Sequence, residues 1–274
     1  MNVLWLFAHP EQRSLNGALR DVGLCELTEL GHDYQQSDLY AMGWNPVVGP
    51  ADFEQSSNGR LLVGAEQENA FAGGTLSEDI QNEQAKLAWA DVVVLHFPMW
   101  WFGPPAILKG WFDRVLVQGF AFGIKDPCGR TLRYGAGGLA GKRGLVVTSV
   151  GAREASFGPR GIHGHVDEVL FPLLHGTLFY TGIAPLAPMV VYGADRLTGA
   201  GFDTAAEDLR KRLRRLDRDE PIQFRPERGG DYDADLVLQP HLAPGRGGLS
   251  IHVGAPERSR DVCEARPPGT RSLT

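Results

Sequence analysis

Residues 91–111 read DVVVLHFPMWWFGPPAILKGW. The segment 91–97 is short, apolar and rich in β-branched residues, which is typical of a strand buried on both faces. Pro104 and Pro105 suit the first turn of a helix but not its interior. The aromatic residues between strand and helix therefore lie in a loop, and loops run over the protein surface. This order of elements predicts a βα unit with an aromatic loop at the surface, where a ligand explains the aromatic residues better than packing in the core does.

Strand and helix patterns alternate along most of the chain. Further strand patterns cover 2–9, 33–40, 144–150 and 187–193, and helical patterns cover 14–31, 77–90, 106–117, 166–182 and 204–216. Alternation of this kind predicts an α/β fold in which helices cover both faces of a parallel sheet. We expect five strands in the order 2-1-3-4-5.

Three regions depart from the regular alternation. Residues 41–74 form a long polar excursion that contains several glycines, and Pro172 should kink the helical segment in which it lies. After residue 220 the chain becomes rich in Gly, Pro and Arg, and the alternation ends. We therefore divide the chain into a main domain, 1–220, and an irregular C-terminal appendage, 221–274.

Composition excludes several classes of protein. The 274 residues have a formal net charge of -6, and the basic residues do not form a patch of the kind that binds nucleic acid. The three cysteines, Cys25, Cys128 and Cys263, have neither the spacing of a disulfide framework nor that of a zinc site. Apolar segments are too short to cross a membrane or to form a signal peptide. These features predict a cytoplasmic protein without membrane insertion.

Ligands of open parallel sheets bind beyond the carboxyl ends of the strands, where the strand order reverses. Three loops should meet there: HPEQRSLN at 9–16, PMWWFG at 98–103 and GAREASFGPRGIHG at 151–164. The first loop opens a helix capped by Ser14, and a helix N-terminus attracts phosphate. Taken alone, that loop is better explained by a capped helix without any ligand.

The second loop points more directly to a ligand, and the third adds a histidine. Trp100, Trp101 and Phe102 offer flat aromatic surface on which a planar heterocycle can stack. His163 in the third loop can stabilise negative charge or move a proton, although a lone histidine often only packs. A phosphate site next to an aromatic slot, on a sheet with flavodoxin-like strand order, indicates a flavin. The glycine-rich segment 135–141 precedes a strand, so it is not a dinucleotide-binding loop.

Several segments resemble the NAD(P)H:quinone oxidoreductase family, also called DT-diaphorase-like. They are AHPEQRSLNGAL, SDLYAMGWNPV, LSEDIQNEQAKLAWADVVVLHFPMWWFGPPAILKGWFDRV, GIHG and DEPIQF. The resemblance runs in order from about Val3 to Phe224. It implies a flavodoxin-like FAD-binding catalytic domain and a homodimer with both active sites at the interface. It also implies ping-pong reduction of quinones by NADH or NADPH, with two electrons transferred as a hydride.

The resemblance assigns roles to individual residues. It implies that the FAD phosphates are bound by His9, Ser14, Leu15 and Asn16. One edge of the isoalloxazine ring would be bound by Pro98, Met99, Trp100, Trp101 and Phe102, and the other by Ser149, Val150, Gly151 and Ala152, while Phe157 would pack beside the ring. The substrate slot would be lined by Trp101, Phe102, Phe122, Tyr180 and Arg196, of which Phe122 and Tyr180 come from the partner chain. His163 is the expected catalytic residue, because it matches the histidine that stabilises the reduced flavin.

This chain also departs from the family pattern. Phe157 stands where the family has a tyrosine that partners the histidine, and Arg196 stands where the animal enzymes have a histidine. A phosphate-binding arginine is missing near Phe202, which weakens the preference for FAD over FMN. His175 matches one of three metal ligands in a zinc-carrying relative, but the other two are replaced, so we expect no metal.

Other functions remain open. Some bacterial relatives are regulatory subunits of cation-efflux transporters, and azo or nitro compounds are alternative electron acceptors for such enzymes. A small electron carrier of the flavodoxin kind is a third possibility, although the length and modest net charge of this chain fit it poorly.

Overall fold

A computed structural model describes residues 1–53 and 60–254. Its parallel sheet consists of β1 (Asn2–Phe7), β2 (Asp33–Asp38), β3 (Val92–Pro98), β4 (Arg143–Val150), β5 (Ala184–Pro185) and β6 (Met189–Tyr192). The order is β2-β1-β3-β4, and two short strands, β5 and β6, both pair with β4 at the fifth position. The predicted α/β fold and the order 2-1-3-4-5 are therefore confirmed.

The helices occupy the positions between the strands. They are α1 (Leu15–Glu29), α2 (Val63–Gly73), α3 (Glu78–Trp89), α4 (Ala106–Val115), α5 (Val166–Val169), α6 (Phe171–Leu173) and α7 (Gly199–Leu213). A π-helical segment, Leu174–Phe179, continues α6. Short 3₁₀ turns lie at Pro50–Asp52, Glu154–Phe157, Ala194–Arg196 and Leu249–His252. No helix in the described ranges has both the length and the apolar character needed to cross a bilayer.

Side chains of the central strands point alternately to the two faces of the sheet and pack in two apolar layers. Trp5 of β1 and Val94 of β3 pack with Leu209 of α7 in one layer, to which α1 also contributes. A β-carbon at Gly23 of α1 would lie 2.2 Å from the Trp5 ring, so glycine is needed for this helix to approach the sheet. Leu95 of β3 packs in the other layer, on the side of α3 and α4. The helices thus cover both faces and leave the carboxyl edge of the sheet free for a site.

Helix α2 was not predicted, because its buried face is polar. The residues that it buries are Glu66, Gln67 and Ala70, and the side-chain amide of Gln67 donates to the carbonyl of Asp113, 3.0 Å away. An apolar stripe at helical spacing is therefore missing from the sequence. The expected kink at Pro172 is confirmed, since the helix is interrupted at Leu170 and Pro172 lies in the first turn of α6.

A buried ion cluster holds the excursion before α2 against the main domain. Arg114 of α4 is 3% exposed and donates to Asp52 and Asp79, each at 2.7 Å. It also donates to the carbonyl of Asn45 at 3.0 Å, and it stacks over the ring of Trp44. The two carboxylates and the carbonyl satisfy the guanidinium, so the burial of this charge is compensated.

The C-terminal appendage is irregular up to residue 254, as expected. The Arg225 amide donates to the carbonyl of His252 at 2.9 Å, and Phe224 packs into the core of the main domain. Residues 255–274, including Cys263, lie outside the described ranges. The division at residue 220 stays a prediction.

Candidate active site at the carboxyl edge of the sheet

The loops that follow β1, β3 and β4 meet in one cleft of about 450 Å³. Nine of the predicted site residues line it: His9, Ser14, Leu15, Asn16, Pro98, Met99, Trp100, Ser149 and Gly151. The cleft lies where the strand order reverses between β1 and β3, which is the position that ligands of such sheets occupy.

Two buried polar side chains join the walls of the cleft. The side-chain amide of Asn16, at the start of α1, donates to the Ser149 hydroxyl at 2.9 Å, and that hydroxyl lies 3.2 Å from the Asn16 amide oxygen. Asn16 is 4% exposed and Ser149 is 5% exposed. The Met99 amide donates to the Ser149 carbonyl at 2.9 Å. Ser149 therefore connects the loop 9–16, where the sequence predicts a phosphate site, to the aromatic loop 98–103 through hydrogen bonds.

The N-terminus of α1 has the features of an anion site. The Ser14 hydroxyl accepts from the Gly17 amide at 3.1 Å, as expected for an N-cap. The amides of Leu15 and Asn16 have no acceptor among the described residues, and the helix dipole adds partial positive charge there. Arg13 lies next to this loop but pairs with Glu11 in solvent, so the loop relies chiefly on backbone groups.

The aromatic loop makes a tight turn with unusual backbone angles. Trp101 has φ 51° and Phe102 has φ 62°, while Trp100 and Gly103 exchange backbone hydrogen bonds at 3.0 and 3.1 Å. Turns of this kind usually select Asn and Gly, and a left-handed residue with a side chain costs about 1–2 kcal/mol. Strain of this kind concentrates at functional sites. The turn leaves the Trp101 and Phe102 amides without an acceptor among the described residues.

The two adjacent tryptophans point in different directions. The Trp100 ring lies 6.4 Å from the His9 ring across the cleft, so its side chain forms part of the cleft wall. Trp101 is 98% exposed and does not line the cleft in the single chain. Of the two side chains, only that of Trp100 therefore lines the cleft of its own chain.

His163 lies in an aromatic cluster beside the cleft. Its ring is 4.9 Å from the Phe157 ring and 5.4 Å from the Phe102 ring. The His163 amide donates to the Ser156 carbonyl at 3.0 Å, which fixes the loop. Tyr192 packs 5.8 Å from Phe157, and burial raises the pKa of its hydroxyl. The structure thus brings three predicted residues together, and no proton donor stands at position 157.

A loop after β6 contributes residues that the sequence prediction missed. Ala194 and Asp195 line the cleft, and a β-carbon at Gly151 would lie 2.2 Å from a carboxylate oxygen of Asp195. Arg196 donates to the Gly151 carbonyl at 2.7 Å, so its head group holds the loop after β4. Ala194 and Asp195 follow a strand at the carboxyl edge, and that signal alone was enough to suggest them.

Other predicted residues lie apart from the cleft. Val150 is buried at the end of β4, and the Ala152 carbonyl accepts from the Gly193 amide at 2.9 Å. Phe122 and Tyr180 do not line the cleft of their own chain, and the prediction gives them a role in the partner's slot.

His175 stacks on Phe171 and contacts Phe179 and Phe224. Within the described ranges no three His, Cys, Asp or Glu side chains are grouped to hold a metal. The expectation that the protein carries no metal stays a prediction.

The residues of the cleft and of the loops that adjoin it fit a flavin nucleotide. Free amides at the start of α1 suit a phosphate, and the Trp101 and Phe102 amides suit the polar edge of a flat ring. The Gly151 and Ala152 amides, on the loop after β4, also lack an acceptor among the described residues. The Asp195 carboxylate disfavours further negative charge in that part of the cleft.

Comparison with known proteins agrees with this geometry. Residues 1–215 match the family model described as a flavodoxin-like fold. The ribosyldihydronicotinamide dehydrogenase-like protein of Penicillium crustosum is 41% identical over 270 residues, covering 97% of this chain and 100% of that protein. NAD(P)H dehydrogenase (quinone) 1 of Rattus norvegicus is 34% identical over 261 residues, covering 92% and 93%.

A solved structure from Klebsiella pneumoniae, described as a candidate quinone reductase, superimposes with a TM-score of 0.89 at 43% identity. The match covers 93% of this chain and all of that one (100%). The chain therefore belongs to the flavodoxin-like fold family and, within it, to the NAD(P)H:quinone oxidoreductases.

Proposed function

We propose that the protein is an FAD-dependent NAD(P)H:quinone oxidoreductase that works by a ping-pong mechanism. The observation that carries this proposal is the left-handed turn of Trp101 and Phe102. It keeps strained backbone at the carboxyl edge of the sheet and leaves two amides free. Sequence relatives named for the same activity support the proposal.

The flavin, when bound, supplies the transfer of two electrons from a nicotinamide to a quinone. We assign the phosphates to the amides of Leu15 and Asn16, with Ser14 and His9 beside them. We assign the edges of the ring to the loops after β3 and β4. Asn16 and Ser149 keep these loops in register through their buried hydrogen bonds.

We assign to His163 the role of stabilising the negative charge of the reduced isoalloxazine ring. An imidazole can stabilise a developing negative charge or hold a proton near neutral pH. Phe157 excludes water from one side of the imidazole, since it is 5% exposed and packs against it. The electrostatic role therefore falls to His163 without a tyrosine partner.

We propose that two chains assemble so that Phe122 and Tyr180 of each protomer close the cleft of the other. The near-complete exposure of Trp101, 98%, supports an arrangement in which another surface covers it. We expect the protein to accept either NADH or NADPH, because the described residues that line the cleft include no basic cluster to select the 2′-phosphate.

An absorbance spectrum of the purified protein tests the cofactor, with the released flavin identified by chromatography. We expect bound FAD, reduction by NADH or NADPH, and reoxidation by menadione. Sedimentation should give a dimer. A colourless protein that binds neither FAD nor FMN in titration would contradict the proposal.

A further inference from the structure

A second cavity lies between the main domain and the C-terminal appendage. Its volume is about 280 Å³. The main domain supplies three ring-bearing residues to its wall, Tyr134, Phe171 and His175, and the appendage supplies Arg225, Glu227, Tyr232, Leu236, Leu249 and His252. Among the described residues, it shares none of its lining with the cleft at the carboxyl edge. We call it the appendage cavity.

Flat rings dominate the wall of the appendage cavity. Phe171 and His175 stack with ring centroids 4.5 Å apart and an interplanar angle of 19°. Tyr232 and His252 are nearly parallel, 16° apart, with centroids separated by 5.9 Å. The Tyr134 ring lies 5.0 Å from the His175 ring. Walls of this kind favour a flat aromatic ligand over an aliphatic one.

The charged residues of the appendage cavity are already paired. Arg225 donates to Asp231 at 2.5 Å and to the carbonyl of Ile251 at 3.0 Å. The Glu227 carboxylate accepts from Arg133 at 2.5 Å. Neither charge needs a ligand as a counter-ion, so the cavity suits an uncharged molecule.

The histidines of the cavity are neutral near pH 7. Burial lowers the pKa of His175 to about 4, and the neighbouring His252 contributes to the shift. Burial is the main cause that lowers the pKa of His252, and the positive charge of Arg225 lowers it further. A neutral imidazole presents one N–H donor and one acceptor nitrogen.

Some polar atoms of the wall remain free for a ligand. His252 uses Nδ1 for the Tyr232 hydroxyl, 2.9 Å away. The His175 ring and the Tyr134 hydroxyl make no hydrogen bond with any residue in the described ranges. A ligand with oxygens at its ring edge can use both groups, as donor and as acceptor.

We propose that the appendage cavity is a second binding site, for an uncharged aromatic molecule of one or two rings that carries hydroxyl or carbonyl oxygens. The size follows from the volume, which is at the small end for ligand pockets. The chemistry follows from stacked rings and free neutral donors and acceptors. The site does not depend on a bound flavin.

The appendage cavity also adjoins a residue of the proposed active site. The Tyr134 ring packs edge-on against Tyr180, with centroids 5.1 Å apart at 88°. Its amide donates to the Tyr180 carbonyl at 3.1 Å. A ligand that contacts Tyr134 therefore touches the residue that supports Tyr180.

The test uses 2-naphthol, a two-ring phenol that carries no charge at neutral pH and that a flavin does not reduce. It is titrated into the purified holoprotein labelled with ¹⁵N-histidine, and the side-chain resonances of His175 and His252 are followed. We expect both to shift along one saturable curve. Leu249→Trp places an indole in the cavity and should weaken binding at least tenfold. Leu30→Trp is the matched control, because the two leucines are 39% and 37% exposed and Leu30 lies outside the cavity.

A second variant tests the hydrogen bonds separately from the shape. His175→Phe keeps a ring stacked on Phe171 but removes the free nitrogens, so binding should weaken about fivefold. The His252 resonance reports it. The proposal is overturned if 2-naphthol leaves both histidines unmoved, or if Leu249→Trp binds it as tightly as the wild type. Flavin content and quinone reduction are measured on the same samples, so failure of the proposed function is seen independently.

Discussion

The Phe157 ring lies 4.9 Å from the His163 ring, at an angle of 42°. Phe157 stands where the family has a tyrosine. Its ring therefore packs against the imidazole but cannot donate a proton. The imidazole is positioned by this contact and by the backbone hydrogen bond to Ser156. Two predictions follow from the arrangement.

Phe157→Tyr should leave FAD bound and should not slow reduction of the flavin. The reason is that the tyrosine ring keeps the contact with His163 and adds only a hydroxyl. The measurement is flavin content after gel filtration, followed by stopped-flow reduction with each nicotinamide. Loss of FAD from this variant would show that the loop 151–164 is wrongly assigned.

His163→Gln should slow flavin reduction by about 10- to 1,000-fold, because an amide neither carries charge nor exchanges a proton near neutral pH. His165→Gln is the matched control, since His165 lies two residues away and its side chain caps α5. The control should reduce at the rate of the wild type. Equal rates for both variants would reduce His163 to a packing residue.

Much of this site could be predicted because it depends on strand order. Val92–Pro98 form a strand that is buried throughout, and the loops after buried parallel strands meet at one edge. Nine residues expected there do line one cleft. Helix α2 escaped prediction because it buries Glu66 and Gln67, which look like surface residues in sequence.

Backbone conformation at the site could not be predicted. The residue types at positions 101 and 102 do not suggest positive φ angles, since Asn and Gly usually occupy such turns. Arg196 was expected at the mouth of the slot, and its bond to the Gly151 carbonyl depends on a loop that sequence patterns do not describe. Tertiary contacts decide both features.

Trp101→Asn should relieve backbone strain but reduce catalysis. Asn tolerates left-handed angles, so the free energy of unfolding should not fall and can rise by about 1 kcal/mol. Quinone reduction should fall because the exposed ring is lost. Ala243→Asn is the control, since Ala243 has φ 51° and lies in the appendage, and it should change stability without changing activity. A clear loss of stability for Trp101→Asn would exclude strain at this turn.

Removal of either partner in the Asn16–Ser149 pair should leave a buried polar group unsatisfied. We expect Asn16→Ala and Ser149→Ala each to cost about 1–3 kcal/mol in unfolding free energy. The double variant should cost clearly less than the sum, because no group is then left unpaired. Urea unfolding of the four proteins measures this cycle. Strictly additive losses would contradict a direct interaction.

His96 should make the fold sensitive to acid. It is fully buried in β3, its ring nitrogens have no hydrogen-bond partner within the described ranges, and burial lowers its pKa from 6.5 to about 3. As the pH falls from 6.5 towards 3, the unfolded chain binds a proton at His96 before the folded chain does, so the unfolding free energy decreases. At pH 5 the loss is about 2 kcal/mol.

His96→Leu should remove this part of the pH dependence. Urea unfolding at pH 7.5 and pH 5 compares wild type, His96→Leu and a control, His241→Leu, in which an exposed histidine is replaced. The wild type and the control should lose about 2 kcal/mol more than His96→Leu. Equal losses in all three would mean that His96 is protonated in the folded protein.

The most direct test of the proposed function is a single-turnover experiment under anaerobic conditions. The holoprotein is reduced with one equivalent of NADH or NADPH and then mixed with menadione in a stopped-flow spectrometer. We expect reoxidation of the bound flavin in one phase, with hydroquinone formed in equal amount and no quinone radical detected by electron paramagnetic resonance. A protein that holds no flavin, or whose reduced flavin does not react with the quinone, would contradict it.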